Sequence, residues 1–324
     1  MGVQEEIGEM VTKLKESYGS ESAIVFSEND ADYHTVEAIP TPSLKLNQCL
    51  RIGGFPVGRV VEVFAPEGTG KTTLAIQTAA KAQANGGYVG IINAEYAFDP
   101  QYAEALGLDI SRVIVMNPNN GEEAIEMARD LALMFKRHNK PSMIVFDSIA
   151  ALVPKAEIEG DIADANMGLH ARLVGKLMRS VTPNLNLTCF VVINQIRMKL
   201  GVMFGSPETT PGGNAIKFFA SLRLDVRIRE KHDDYNDVEI KVVKTRFGKP
   251  YQSIKTRLVF GKGFDSVYDM IDVAEDLDII QKNGGGVYSL NSEKLAQGRD
   301  KLWLKLKSEV DLYEKILGLI DARQ

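Results

Sequence analysis

Only two cysteines, Cys49 and Cys189, occur in 324 residues, each inside an apolar stretch, and no Cys-x-x-Cys or His-rich pairing accompanies them. That scarcity argues against a redox pair or a set of soft metal ligands, and the thiols read as inert core residues in a reducing compartment. No run approaches the ~20 apolar residues of a membrane span. The opening Met-Gly-Val-Gln-Glu-Glu is acidic where a secretory leader would be basic and then apolar. The expectation is a cytoplasmic protein with no membrane partner. Internal repeats and low-complexity tracts are also lacking.

Basic charge is in short supply overall, since the net charge is −5. This balance argues at first against nucleic acid, but it is unevenly placed. Residues 1–40 carry nine acids and two bases, leaving +2 for the remainder. Residues 241–257 hold six Lys/Arg and no acid, and residues 194–229 and 281–307 each hold six against two. Such clustering is the electrostatic footprint of a phosphate-backbone binder, although solvated strand edges also carry lysines. The 44% hydrophobic content is enough for one large core, and the length suggests one to three domains.

Residues 65–73, Ala-Pro-Glu-Gly-Thr-Gly-Lys-Thr-Thr, lie between the β-branched run Arg59-Val-Val-Glu-Val-Phe64 and a helix-forming run at 74–81. Strand, loop and helix in this order turn successive backbone N–H groups and a helix N-terminus toward one polyphosphate, so the segment reads as a nucleotide site. Gly68 and Gly70 admit the phosphates without a Cβ clash. Lys71 would reach the β- and γ-phosphates, and the Thr72 hydroxyl would take a place on Mg²⁺.

Residues 4–18 place Ile7, Met10, Val11 and Leu14 at helical spacing, and the short run Ala23-Ile-Val-Phe26 follows. So small an element must pack its apolar face on its own core or on a neighbouring subunit. From about 40 to 262, apolar strands at 88–92, 113–116, 143–146 and 189–193 alternate with amphipathic segments, which implies a parallel sheet covered on both faces. Runs at 222–228, 238–243 and 254–260 suggest an antiparallel extension. A third unit begins near Asp269, with two helical stretches around Gly284-Gly-Gly286 and a last helix from about 310 to 322. The fold class is α/β, with boundaries expected at 1–35, 36–268 and 269–324.

Met143-Ile-Val-Phe146 followed by Asp147-Ser148 has the form of a second nucleotide motif, whose Asp holds the Mg²⁺ shell. Taken alone it reads more readily as a strand ending in a helix N-cap, and it is the phosphate loop that favours the nucleotide motif. Glu95 follows the strand after the phosphate loop and is the candidate for orienting an attacking water, though an acid at a strand exit also serves as a cap. Gln195, at another strand tip, could hydrogen-bond a γ-phosphate and report it to the next segment. That segment, 196–214, mixes the cations Arg197 and Lys199 with apolar Met198, Leu200, Met203 and Phe204, and ends in Gly212-Gly213-Asn214. The mixture suits single-stranded nucleic acid better than a duplex groove.

Glu67-Gly-Thr-Gly-Lys-Thr-Thr73, Ala94-Glu95 with Asp99-Pro100, the run from Asp147 to Gly160, and Ile193-Asn-Gln-Ile-Arg-Met-Lys-Leu-Gly-Val-Met-Phe-Gly205 closely resemble the bacterial RecA recombinase family. The likeness spans about residues 3–322. It implies a RecA-like P-loop ATPase core with a mostly parallel central sheet, a small N-terminal helix–strand arm and a small α+β C-terminal domain. By the same resemblance, protomers would assemble head to tail into a helical filament on single-stranded DNA, with ATP at each interface, then pair the strand with homologous duplex and exchange strands. The cofactors implied are ATP and Mg²⁺. Glu67, Gly68, Thr69, Gly70, Lys71, Thr72 and Thr73 would hold phosphates and Mg²⁺, with Asp147 in the metal shell. Glu95 would activate water, Asp99 and Tyr102 would meet adenine, and Gln195 the γ-phosphate. Lys244 and Arg246 match cations that reach a neighbour's ATP.

DNA contacts would fall on 159–167, with Met167 as an apolar wedge, on the helix carrying Arg172, Lys176 and Arg179, and on Arg197, Met198, Lys199, Leu200, Gly212, Gly213 and Asn214. Phe218, Ile24 and Phe26 would lie at the protomer interface. Lysines and Arg299 of the C-terminal unit would help capture duplex DNA. The chain departs from the pattern at Ala65, Asn93, Tyr96, Gly175, Pro211 and Glu239. Glu239, in place of Arg, leaves Arg227 and Lys241 as the cations expected at a second DNA site. The sequence ends at Gln324 without the acidic tail of many members, from which easier duplex binding and a lower Mg²⁺ requirement are expected. Two other readings stand beside the recombinase: a nucleotide-gated filament that coats single strands with little ATP turnover, and a ring-forming helicase. Whether a self-cleaving repressor is a partner, as for some relatives, is left open.

Overall fold

The computed structural model describes residues 2–19, 23, 36–160, 168–198 and 207–323. Ile24, Phe26, Met167, Lys199 and Leu200 therefore lie outside the described residues. The chain divides into two compact units, 1–36 and 37–324. In the first, helix α1 (Val3–Tyr18) starts where the Gly2 N–H donates to Glu5 Oε2 at 3.0 Å, and Val3, Ile7, Met10, Leu14 and Tyr18 are exposed along it.

In the second unit, β1 (Ala38–Ile39) pairs with β2 (Phe55–Pro56) around α2 (Leu44–Leu50), whose N-cap Ser43 accepts from the Leu46 N–H at 3.2 Å. The chain continues through β3 (Val60–Ala65), α3 (Lys71–Ala84), β4 (Val89–Asn93), α4 (Pro100–Ala105), β5 (Val113–Met116), α5 (Gly121–Phe135) and β6 (Ser142–Asp147). It then runs through α6 (Lys155–Glu159), α7 (Leu169–Val181), β7 (Thr188–Gln195) and the short β8 (Arg197–Met198) and β9 (Glu208–Thr209). After α8 (Ala215–Phe219) come β10 (Ala220–Lys231), β11 (Tyr235–Thr245), β12 (Ser253–Val259) and β13 (Gly263–Phe264).

Among the described residues, nine strands make one sheet in the order β13-β12-β11-β10-β3-β7-β6-β4-β5. The six strands from β10 to β5 run parallel, and β11, β12 and β13 extend the sheet beyond β10, each antiparallel to its neighbour. The centre reads as continuous apolar runs because both faces are covered: Leu74, Ala75 and Ala79 of α3 pack on one, and Ala128 and Leu131 of α5 with Val174 and Leu177 of α7 on the other. β10 and β11 alternate instead, with Leu222, Leu224, Val226, Val238, Ile240 and Val242 turned to the α3 side.

The C-terminal part holds α9 (Ser266–Asp276), β14 (Ile280–Asn283), β15 (Val287–Leu290), β16 (Glu293–Gln297), α10 (Arg299–Ser308) and α11 (Val310–Asp321) around their own apolar cluster. The two expected helical stretches are α9 and α10; directly beside Gly284 and Gly286, however, lie strands of a three-stranded antiparallel sheet. No described helix is long and apolar enough to cross a membrane.

Candidate functional site

β3 delivers the chain to the phosphate loop at the carboxyl edge of the sheet. Gly68 and Gly70 adopt φ of 68° and 94°, the left-handed region that other residues enter at a cost. At Gly70 a Cβ would also stand 2.8 Å from Leu258 Cδ2, so the loop is fitted tightly against β12. Lys71 Nζ donates to the Pro66 carbonyl at 2.7 Å and lies 3.4 Å from that of Ala65, while Thr69 Oγ1 donates to Pro66 O at 3.0 Å. Burial lowers the Lys71 pKa, and the carboxylates of Asp147, Glu95 and Glu67 work against that shift.

Residues 68–73 line a cavity of about 340 Å³ together with Tyr102 and residues 258–261. Tyr102 is fixed there by a 2.9 Å hydrogen bond between its hydroxyl and that of Thr73. Asp99 caps α4, accepting from the N–H groups of Gln101 and Tyr102 at 2.9 and 3.1 Å. Sequence reasoning missed the lining at 258–261, including the half-exposed Phe260; the one local signal is the Gly261-Lys-Gly263 turn after the short apolar run Leu258-Val-Phe260.

Beside the loop, Thr72 Oγ1 donates to Asp147 Oδ2 at 2.8 Å. Burial raises the Asp147 pKa to about 6; the Thr72 bond opposes the rise, and Glu95 adds to it. A hydroxyl and a carboxylate are hard oxygen donors of the kind that Mg²⁺ takes while keeping several waters, so the pair fits that ion. The backbone N–H groups of Ala94 and Glu95 donate to the Asp147 carbonyl at 2.8 and 3.2 Å, joining the ends of β4 and β6. Glu95 Oε1 then accepts from the Ser148 hydroxyl and, at 2.9 Å, from Gln195 Nε2. Ser148, which the sequence reading had not singled out, thus fixes the same oxygen as Gln195.

Asn93 organises the turn behind Glu95. Its Oδ1 accepts from the N–H groups of Ala97 and Phe98 at 3.0 and 3.2 Å, and its Nδ2 donates to Asn117 Oδ1 at 2.7 Å. Aspartate could accept the two N–H bonds but could not donate the third.

These sites lie on a chain whose residues 5–265 match the family model for the RecA N-terminal domain, and residues 268–323 that for the RecA C-terminal domain. The chain belongs to the RecA family. Protein RecA of Bacteroides thetaiotaomicron is 43% identical over 316 residues, covering 95% of this chain and 93% of the relative. Protein RecA of Acinetobacter baumannii is 41% identical over 94% of this chain and 88% of the relative, and that of Treponema denticola 43% identical over 94% and 74%.

The residues that the RecA resemblance assigns to DNA fall into groups. Arg172, Lys176 and Arg179 are all exposed on α7, at the i, i+4, i+7 spacing of one helical face. Gly212 and Gly213 pack on this helix: a Cβ at the first would meet Val174 at 3.1 Å, and one at the second Ala171 at 3.1 Å. The end of the 196–214 segment, with Asn214, is thereby brought onto α7. Arg197 and Met198 are exposed on β8, which pairs with β9. Gly175 leaves room for Arg179, whose Nη1 would be 3.2 Å from a Cβ there.

Arg227 is not open as expected for a second DNA site. Its guanidinium donates to both oxygens of Glu208, at 2.9 and 2.6 Å, and to both of Asp225, at 2.6 and 3.1 Å. Glu239 is likewise held by Arg229, whose Nε donates at 2.7 Å, while Lys241 is exposed on β11. Lys244 Nζ donates to the carbonyls of Lys217 and Phe218 at 2.7 and 3.3 Å, and Phe218 is 71% exposed. Arg246 lines a cavity of about 350 Å³ with Arg59, Phe218 and Ser221. Neither Lys244 nor Arg246 lines the phosphate-loop cavity of its own chain.

Proposed function

We propose that the protein uses the residues assembled at this edge of the sheet to couple ATP hydrolysis to the state of a nucleoprotein filament on single-stranded DNA, within which duplex DNA is paired and strands are exchanged. As a RecA-family recombination and repair protein it is a DNA-dependent ATPase. The residue roles, the division at about 268 and the filament geometry are the proposal. The backbone of 68–70 and the Lys71 ammonium hold the β- and γ-phosphates, with Tyr102, Asp99 and Phe260 toward the base. Thr72 and Asp147 would hold Mg²⁺, which when bound would supply positive charge to offset that on the phosphate oxygens. Glu95 orients a water for in-line attack on the γ-phosphorus, whose bond to the β-phosphate oxygen breaks to leave ADP and phosphate. Lys244 and Arg246 of an adjoining protomer stabilise the charge that develops. Gln195 senses the γ-phosphate where the DNA-facing segment begins.

The observation that carries this reading is the sharing of Glu95 Oε1 by Ser148 and Gln195. It joins the group that handles water to the strand tip from which 196–214 departs. Asn93, which supports the turn that presents Glu95, favours hydrolysis over the low-turnover filament. The test is ATP hydrolysis with and without single-stranded DNA, by the parent and Glu95→Gln. Strong stimulation of the parent, and a loss of about 10²-fold or more in the variant, are expected. Slow hydrolysis indifferent to DNA, in protein that still binds the strand, would replace the reading with the low-turnover filament.

A further inference from the structure

Glu62, Asn194 and Arg223 form a polar row in the sheet that has no part in the chemistry above and ends at Lys244. Strands β7, β3, β10 and β11 are adjacent. Their register sets Glu62 opposite Arg223, and Arg223 opposite Lys244, while Asn194 lies one same-face step beyond Val192, the β7 partner of Glu62. Glu62 and Asn194 have no exposed surface. A carboxylate in such a place is costly unless its oxygens are occupied, and here both are. Arg223 Nε bonds Oε2, and Asn194 Nδ2 donates to Oε1 at 2.9 Å. Arg223 is held further by the Phe64 ring, 4.9 Å from its guanidinium carbon.

Each end of the row touches a segment with a proposed role. Asn194 Nδ2 also donates to the Pro211 carbonyl at 3.2 Å, and its Oδ1 accepts from the Gln195 N–H at 2.9 Å. One buried amide therefore ties together the start and the return of the 196–214 segment. At the far end, Lys244 rests on the carbonyls of Lys217 and Phe218. The charges of Arg223 and Glu62 both reach Lys244, with opposite effect.

We propose that Glu62 and Asn194 are positioning residues that transmit rearrangement of the DNA-facing segment, through Arg223, to the interface cation Lys244 and to Phe218. When the segment moves, the Asn194 amide cannot keep its bonds to Pro211, Gln195 and Glu62 together. Glu62 and its paired guanidinium must then shift relative to Lys244. The inference rests on the DNA-dependent ATPase reading and deepens it.

Two variants test it: Asn194→Asp, nearly isosteric but without the amide donor, and Arg223→Lys, which keeps charge but loses the fork. The readouts are melting temperature, hydrolysis with and without single-stranded DNA, and the affinity of a labelled oligonucleotide with a non-hydrolysable ATP analogue and with ADP. The ratio of the two affinities should fall by about tenfold, together with DNA stimulation, while DNA-free hydrolysis and ADP-state binding persist. An unchanged ratio, or an equal loss in both nucleotide states, would overturn the proposal. Hydrogen exchange in the parent gives a reading free of folding defects: DNA binding should alter protection at 217–219 and 243–246, and no change there overturns it. A parent without DNA stimulation would instead sink the ATPase reading, and this proposal with it.

Discussion

Asp147 shows what burial does to a single group at this site. Its pKa is raised to about 6, mainly because the folded chain strips the carboxylate of water. The unfolded value is near 3.9, so the folded state holds the proton to higher pH, and stability from this group falls as pH climbs from about 4 to about 6. Asp147→Asn has no proton to lose. Without nucleotide or divalent ion it should flatten that limb and be more stable than the parent at pH 7.5, by roughly 2 kcal/mol. Thermal denaturation across this range checks it, and an Asn variant that melts lower at pH 7.5 would contradict it. Some slope should remain in the variant, because buried Asp269 is also raised to about 6. At this scale the sequence was legible where chemistry demands neighbours in the chain. Residues 67–73 must be contiguous to wrap a phosphate, so they could be read directly. Ser148 and Phe260 could not, because only the folded sheet edge brings them to Glu95 and to the loop.

At the scale of elements, α7 joins two features that are distant in sequence. Its cations Arg172, Lys176 and Arg179 are exposed, while Ala171 and Val174 receive Gly213 and Gly212 from the return of the 196–214 segment. If this helix tracks a phosphate backbone, replacing all three cations with Ala should weaken single-strand binding and lower the slope of log K against log salt by roughly 2. Fluorescence anisotropy at several salt concentrations measures the slope, and an unchanged slope would remove α7 from the interface. The triple change leaves the buried face of α7 intact, so the fold should persist. Strand runs in the core were legible because a sheet covered on both faces needs unbroken apolar stretches, as in β6 and β7. The strands β14 to β16, implied by the resemblance as part of an α+β domain, were hidden from the periodicity: glycines and polar residues such as Gln281, Lys282 and Asn283 interrupt the alternation that would announce them.

For the whole molecule, the decisive arrangement is that Lys244 and Arg246 stay clear of their own phosphate-loop cavity. The sequence carried the basic stretch but could not say where its cations point, since β10 and β11 fix that direction by pairing Arg223 with Lys244 and by a register shift beside it. If those cations serve a neighbour's ATP, each active site combines the loop of one protomer with the cations of the next. Lys71→Ala and Arg246→Ala should then each abolish DNA-dependent hydrolysis alone. Mixed in equal amounts before DNA is added, they should regain it: an Arg246→Ala protomer supplies an intact loop, and a Lys71→Ala neighbour supplies intact cations. Random assembly of a heterologous head-to-tail filament forms that pairing at about a quarter of the interfaces. Hydrolysis by the mixture, compared with each variant alone, measures the recovery. Activity no greater than the sum of the two variants would mean that Lys244 and Arg246 do not complete a neighbour's site.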